Sequence, residues 1–225
     1  MADRTLFITG ASSGIGAATA QAAVAAGWRV GLMARNAEKL EALAETLGPE
    51  RAMALPGDAT DLAAQETAVG EIAARWGGLD AAFANAGRGL SAPGTEAGDP
   101  AEWEEMLRIN IQGVLWTAKA ALPLLKARRG HMVLTGSQAG RRTVRGSVYG
   151  ASKWFVHGYG MNLAEEMAEW GGRCTVIAPG MVDTAFFDKP RPDALAPEDV
   201  AAAVMHALSA DPGCAVREIY LVPTG

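Results

Sequence analysis

Short apolar runs alternate along the chain with longer alanine-rich or amphipathic stretches. A short apolar run between turn residues predicts a buried strand, whereas apolar residues three and four apart, such as Leu40, Leu43 and Leu47, predict a helix. The predicted strands cover 6–8, 28–33, 51–55, 79–84, 131–135, 173–178 and 218–222, and the predicted helices cover 15–26, 37–47, 61–76, 100–127, 147–170 and 197–208. Strands separated by helices need crossover connections, so the pattern predicts an α/β fold, a doubly wound parallel β-sheet with helices on both faces.

Composition and charge exclude several classes of protein. The chain has 225 residues, which suffice for one domain with a substantial core. The net charge of -5 argues against nucleic acid or an anionic membrane surface as the main partner. No apolar run reaches the ~18 residues that a membrane span needs, and the N-terminus leads directly into a strand without a basic leader segment. We therefore expect no nucleic-acid partner, no membrane association and a cytoplasmic location.

The cysteines and histidines do not indicate a metal site. Cys174 and Cys214 form no CxxC pair, and His131, His157 and His206 are scattered along the chain. We expect two unpaired thiols and no metal.

Three glycines follow the first predicted strand and open the first predicted helix. The segment 9–16 reads TGASSGIG and places glycine at Gly10, Gly14 and Gly16. Glycines in a strand-to-helix turn allow backbone N–H groups and the positive end of the helix to approach a pyrophosphate. The spacing is not GxGxxG, and a tight turn alone would also use glycines, but the strand and helix context favours a nucleotide site.

Tyr149 and Lys153 are four residues apart in the predicted helix 147–170. That spacing places both side chains on one helix face. A neighbouring ammonium favours the phenolate, so we expect Lys153 to lower the pKa of Tyr149 and prepare it to act as a general acid or base on an alcohol or carbonyl oxygen. The same spacing also occurs by chance on solvated helix faces.

Three motifs in this order resemble the short-chain dehydrogenase/reductase family. They are the TGxxxGIG turn, Asn85-Ala86-Gly87 after the fourth predicted strand, and YxxxK at Tyr149 and Lys153. The resemblance implies a single Rossmann-type catalytic domain over 1–225 with about seven parallel strands. It also implies a nicotinamide cofactor and the interconversion of an alcohol and a ketone or aldehyde. The catalytic residues that it implies are Asn110, Ser137, Tyr149 and Lys153.

Each implied catalytic residue has a chemical role. Tyr149 would exchange the proton with the substrate oxygen, and Lys153 would also hydrogen-bond the nicotinamide ribose. Ser137 would hold the substrate oxygen as it gains charge. Asn110 would hold a water that links Lys153 to solvent, although a polar residue within a helix also commonly bonds to backbone.

The resemblance implies a cofactor site spread over several turns. Its residues are Gly10, Ser12, Ser13, Gly14, Ile15, Gly16, Arg35, Asp58, Ala59, Asn85, Ala86, Gly87, Tyr149, Lys153, Pro179, Gly180, Val182 and Thr184. Asp58 and Ala59 would contact adenine, and Val182 and Thr184 would bond the nicotinamide carboxamide.

The end of the second predicted strand predicts the choice of cofactor. An acidic residue there would hold the ribose 2′-hydroxyl of NAD, whereas an arginine accommodates the 2′-phosphate of NADP. The segment 33–36 contains Arg35 and no acidic residue. We therefore expect NADP(H) to be preferred over NAD(H), although Arg35 would also suit the solvated start of a helix.

The substrate is less defined by the sequence. Candidate lining residues are Arg88, Gln138, Arg142, Val144, Phe186 and Phe187, with His157 as a further possibility. Arginines would suit a carboxylate and phenylalanines an aromatic or aliphatic ketone, and surface arginines are also often simply solvated. The aromatic residues Trp103, Trp116, Trp154 and Phe155 lie on the two long helices, where the family commonly pairs subunits, so we expect a homodimer or homotetramer.

Three features depart from the family pattern. Ala84 replaces an asparagine that the family often has, which puts one sheet-stabilising hydrogen bond in doubt, and the segment from Ser137 to Tyr149 is one residue short. The segment between Thr184 and Pro197 is also short, so we expect a small lid and an open or shallow substrate pocket. An alternative function is a non-catalytic NAD(P)-sensing regulator on the same fold. Such a regulator has no need of a proton-transfer set, which this chain retains.

Overall fold

Seven parallel strands form one sheet at the centre of the molecule. The computed structural model describes residues 4–92, 94–184 and 191–224. The strands are β1 (Thr5–Thr9), β2 (Arg29–Ala34), β3 (Ala52–Pro56), β4 (Ala81–Ala84), β5 (His131–Thr135), β6 (Arg173–Pro179) and β7 (Glu218–Leu221). Their order in the sheet is β3-β2-β1-β4-β5-β6-β7, and every pair is parallel. The predicted parallel sheet is confirmed.

Helices connect the strands. They are α1 (Gly14–Ala25), α2 (Ala37–Leu47), α3 (Leu62–Trp76), α4 (Pro100–Leu107), α5 (Gly113–Arg128), α6 (Val148–Ala168) and α7 (Pro197–Ser209). Side chains fix several starts, since Asn36, Asp61 and Ser147 each accept a hydrogen bond from a backbone N–H in the first turn. The predicted helix 100–127 is α4 and α5 joined by a π-helical turn, Arg108–Gln112, which sequence periodicity did not predict.

The sheet separates two apolar layers. Phe7 packs on the face that also buries Ile72 of α3 and Leu163 of α6, whereas its neighbour Leu6 packs on the opposite face with Leu40 of α2. Alternate residues of a strand point to opposite faces, so the continuous apolar strands bury both faces of the sheet. Helices α3, α5 and α6 cover one face and α1, α2 and α7 the other, which confirms the doubly wound Rossmann-type fold.

The strand order reverses between β1 and β4, because the chain runs outward from β1 to β3 and then returns to start the other half of the sheet at β4. In such sheets, ligands bind beyond the carboxyl ends of the strands at this reversal. The glycine turn after β1 and the Asn85 turn after β4 both lie there.

Across the described ranges, the helices include none that is long and apolar enough to cross a membrane.

Candidate active site

The glycine turn after β1 forms a close backbone cradle. Gly10 and Gly14 have positive φ angles of 67° and 54°, and a Cβ on Gly16 would stand 2.3 Å from the carbonyl oxygen of Gly10. Ser13 caps α1 without a side-chain hydrogen bond to the first turn. The first-turn N–H groups of α1 therefore keep their capacity to hold an anion, and the turn fits a pyrophosphate.

Asn85, which follows β4, joins the glycine turn after β1 to the end of β5. Its Nδ2 donates to the carbonyl oxygens of Thr9 at 3.1 Å and Gly10 at 3.3 Å, and its Oδ1 accepts from the hydroxyl of Thr135 at 3.2 Å. The backbone N–H groups of Asn85 and Ala86 both donate to the hydroxyl of Thr9. These bonds hold β1, β4 and β5 together although Ala84 has no polar side chain.

Tyr149 and Lys153 lie on one face of α6, as their spacing predicts. The Lys153 Nζ stands 5.8 Å from the centre of the Tyr149 ring and donates to the carbonyl oxygen of Thr135 at 2.8 Å. The hydroxyl of Ser137, just beyond β5, hydrogen-bonds the Tyr149 phenol. Two of the other expected catalytic residues, Ser137 and Lys153, therefore both lie next to Tyr149.

The expected direction of the Tyr149 pKa is wrong. Burial raises the pKa of Tyr149, the hydrogen bond from Ser137 opposes that rise, and the Lys153 charge is not among the causes. Burial also lowers the pKa of Lys153 to about 8. The two shifts have one physical cause, because a dry site disfavours both the phenolate and the ammonium.

Asn110 lies in the π-helical turn between α4 and α5 and is fully buried. Its Oδ1 accepts from the N–H of Arg88 at 2.9 Å, and its Nδ2 donates to the Arg88 carbonyl at 3.1 Å and to the Ser152 hydroxyl at 3.2 Å. The residue thus clamps the loop after β4 to α6. Gly87 also approaches it, since a Cβ there would stand 2.9 Å from Asn110 Oδ1.

The remaining expected cofactor residues border the same edge of the sheet. Arg35 is exposed just after β2, and the Asp58 carboxylate accepts from the N–H and hydroxyl of Thr60. Thr184 reaches the glycine turn, because a Cβ on Gly14 would stand 3.0 Å from Thr184 Cγ2. Three more expected cofactor residues lie at the end of β6 and in the loop that follows it; they are Pro179, Gly180 and Val182.

The expected substrate residues have mixed environments. Arg88 forms an ion pair with Glu105, and the Gln138 amide donates to the Tyr220 hydroxyl at 2.9 Å. Arg142 and Val144 are exposed on the loop before α6. Phe186 and Phe187 lie outside the described residues.

Sequence reasoning missed a second layer of contacts behind Ser137. His157 is buried and contacts the Ser137 backbone, and Glu218 of β7 lies beside it with Arg141. The repeated four-residue spacing of Tyr149, Lys153 and His157 predicted that the histidine lies on the same helix face as the other two. Nothing in the sequence signalled the partner on β7.

Both cysteines are unpaired, as expected, with Cys174 buried and Cys214 exposed. Within the described part of the chain, the histidines, cysteines and acidic residues form no group of three that could hold a metal ion.

Comparisons with known proteins agree with this geometry. A family model described as short chain dehydrogenase matches residues 4–194. An uncharacterized oxidoreductase of Staphylococcus aureus is 36% identical over 228 residues, which cover 99% of this chain and 98% of the relative.

Two solved structures share the fold over nearly their whole lengths. An alcohol dehydrogenase from the archaeon Thermococcus sibiricus, complexed with 5-hydroxy-NADP, has a TM-score of 0.90 at 30% identity over 98% of this chain and 97% of that one. A serine dehydrogenase from Escherichia coli has a TM-score of 0.88 at 28% identity over 97% of both chains.

Proposed function

Because the chain belongs to the short chain dehydrogenase family, we infer that it is an NADP(H)-dependent oxidoreductase that interconverts an alcohol and a ketone or aldehyde. Residues 1–225 act as one catalytic domain. The observation that carries this proposal is the hydrogen bond between Ser137 and the Tyr149 phenol, with the buried Lys153 ammonium one helical turn away.

The nicotinamide, when bound, supplies the hydride that reaches the carbonyl carbon. In reduction, Tyr149 gives its phenolic proton to the substrate oxygen, and in oxidation it takes the proton back. The Ser137 hydroxyl holds that oxygen while it carries developing charge. Lys153 places a positive charge behind the phenol, and Asn110 fixes the loop after β4 against α6 at the wall of the site.

Support for NADP(H) over NAD(H) comes from the turn after β2. Arg35 is exposed there beside the glycine turn, and no acidic residue occupies segment 33–36 to hold a ribose 2′-hydroxyl. A guanidinium suits the planar, charged oxygens of a 2′-phosphate. The relative from Thermococcus sibiricus was complexed with an NADP derivative, which agrees with this choice.

The substrate is a small carbonyl compound or alcohol, and the enzyme acts in the cytoplasm as a homodimer or homotetramer. Trp154 and Phe155 expose 52% and 37% of their surface on α6, and Met161 exposes 66% one to two turns further on. Large apolar side chains grouped on one helix are typical of an interface. Light scattering that gives a monomer mass would contradict the assembly and leave the chemistry untouched.

The test is NADPH and NADH oxidation at the reduced-nicotinamide absorbance band against ketones, aldehydes and keto acids, with Tyr149→Phe beside the natural protein. We expect turnover with NADPH that falls by about 10²- to 10⁴-fold in Tyr149→Phe, because the variant cannot donate the proton. NADPH titration of both proteins controls for binding. Tight NADPH binding without turnover on any substrate would contradict the proposed oxidoreductase function and favour a nucleotide-sensing regulator.

A further inference from the structure

The His157 imidazole fills a slot that two glycines open on either side of Ser137. A Cβ on Gly136 would stand 2.6 Å from His157 Nε2, and a Cβ on Gly140 would stand 2.7 Å from His157 Cδ2. Real Cβ atoms do not approach ring atoms so closely, so any larger residue at either glycine would expel the ring. The turn that carries Ser137 is therefore shaped to receive this histidine.

Inside the slot, the ring contacts the backbone of Ser137 on one side and a carboxylate on the other. His157 Nε2 lies 3.2 Å from the carbonyl oxygen of Ser137 and 3.4 Å from its N–H nitrogen. His157 Nδ1 lies 3.5 Å from Glu218 Oε1. The ring thus links the last strand of the sheet to the residue that holds the catalytic phenol.

The carboxylate of Glu218 is itself held in place. Arg141 donates to its two oxygens from Nε at 2.5 Å and from Nη2 at 2.7 Å, a bidentate arrangement that fixes the carboxylate plane. Two residues further along β7, the Tyr220 hydroxyl accepts from the amide of Gln138 at 2.9 Å. Strand β7 therefore braces the segment 137–141 at both ends.

We propose that His157, held by Glu218 and Arg141, is a positioning residue that sets the orientation of Ser137 for the reaction. This inference rests on the proposed oxidoreductase function. His157 does not reach the substrate; it acts through the Ser137 peptide, whose side chain hydrogen-bonds Tyr149. A small rotation of that peptide moves the Ser137 hydroxyl away from the oxygen that it must hold.

The two protonation states of the ring hold different atoms of Ser137. In the neutral ring, Nδ1–H donates to Glu218 and Nε2 accepts from the Ser137 N–H. In the imidazolium, Nε2 also carries a hydrogen, so it donates to the Ser137 carbonyl and the Ser137 N–H loses its acceptor. The neutral state preserves the turn as the structure shows it, and protonation reorients the turn.

Charged groups from each neighbouring element act on this equilibrium. Burial lowers the pKa of His157 below its usual value, the Glu218 carboxylate of β7 and the Ser137 backbone raise it, and the Arg141 and Lys153 charges lower it. Turnover should therefore have an acid limb that belongs to His157. Removal of the Glu218 charge should move that limb to lower pH, and removal of the Arg141 charge should move it to higher pH.

The experiment measures kcat, KM and NADPH affinity from pH 5 to pH 8 in five variants and the natural enzyme. His157→Phe keeps ring volume without nitrogens, and we expect kcat to fall by about 10- to 100-fold with unchanged NADPH affinity. His157→Gln retains a polar group near the Nε2 position and should restore most of kcat while it removes the acid limb. Glu218→Gln and Arg141→Gln should shift the limb in opposite directions, and the exposed His206→Gln serves as the matched control.

Natural kcat in His157→Phe would overturn the positioning role, as would an acid limb that neither charge variant moves or that His206→Gln abolishes. The charge variants decide the case even if His157→Phe does not fold. Absence of turnover in the natural protein would instead overturn the proposed oxidoreductase function and with it any role of His157 in catalysis.

Discussion

The Lys153 ammonium donates to the carbonyl oxygen of Thr135 at 2.8 Å. This bond anchors the lysine of α6 to the end of β5, two residues before Ser137. The side chain is buried, and burial lowers its pKa to about 8. This buried lysine thus destabilises the fold at neutral pH, since an ammonium is held where water cannot solvate it.

Replacement of Lys153 by methionine should change the pH dependence of stability. The lysine titrates near ~10.4 in the unfolded chain and about 8 in the folded one, so between these values the unfolded chain binds more protons and stability rises with pH. From pH 8 to pH 10, the free energy of unfolding of the natural protein should rise by about 2 kcal/mol relative to Lys153→Met. Urea unfolding at both pH values without nicotinamide measures the difference, and parallel profiles for the two proteins would contradict a depressed lysine pKa.

Substitution of Gly14 should weaken NADPH binding in addition to the loss of stability that backbone strain causes. Gly14 has a φ of 54° and lies against Thr184, whereas Gly27 has a φ of 84° and no atom of the described residues within 4 Å of an added Cβ. Replacement of either glycine by alanine should lower the free energy of unfolding by about 1 to 2 kcal/mol, because each variant holds an L-residue in the left-handed region. Only Gly14→Ala should weaken NADPH binding, since its methyl group would push Thr184 away from the cradle.

Isothermal titration with NADPH and urea unfolding of both alanine variants provide the comparison. Equal NADPH affinity in the two variants would refute the role of the Gly14 contact.

Local patterns in the sequence sufficed to predict most of the helices and strands and the position of Tyr149 and Lys153 on one helix face. Helix α2 begins and ends where the sequence predicts, because Asn36 caps its start and the leucine spacing stops at Leu47. The π-helical turn around Asn110 was not predicted, since one extra residue in a helix barely changes its apolar spacing. The pKa of Tyr149 depends on burial, and the contact of His157 with Glu218 joins α6 to β7, which are far apart in the sequence. A local sequence pattern predicts neither.

Replacement of Arg35 by serine should reduce the proposed preference for NADP(H). A guanidinium bonded to a 2′-phosphate is a charge-assisted contact, so its loss should raise the KM for NADPH by about 10- to 100-fold and leave the KM for NADH unchanged. Lys39→Ser removes a second exposed cation one turn further on, in α2, and is the matched control. Steady-state kinetics with both cofactors test this, and equal effects of the two variants would indicate general charge attraction instead of a specific 2′-phosphate contact.

His131, at the start of β5, should make the protein sensitive to mild acid. Its Nε2 lies 2.7 Å from the Thr175 hydroxyl, which itself donates to the Val216 carbonyl, while Nδ1 has no hydrogen-bond partner among the described residues. Burial and the Arg173 charge lower the pKa of His131 to about 3. Protonation of the ring would place a hydrogen on Nδ1, which has no acceptor among the described residues.

The direction of the stability change with pH follows from proton binding by His131 in the folded and unfolded chains. The unfolded histidine titrates near ~6.5, so below that pH the unfolded chain binds the proton first and stability is lost as pH falls toward 3. From pH 7 to pH 5, this group should cost the natural protein about 2 kcal/mol of unfolding free energy. His131→Gln should flatten the profile by that amount, whereas His206→Gln, which changes an exposed residue of α7, should leave it unchanged. Urea unfolding of the three proteins at pH 7 and pH 5 gives one difference for each protein, and an unaltered difference in His131→Gln would show that another group carries the acid sensitivity.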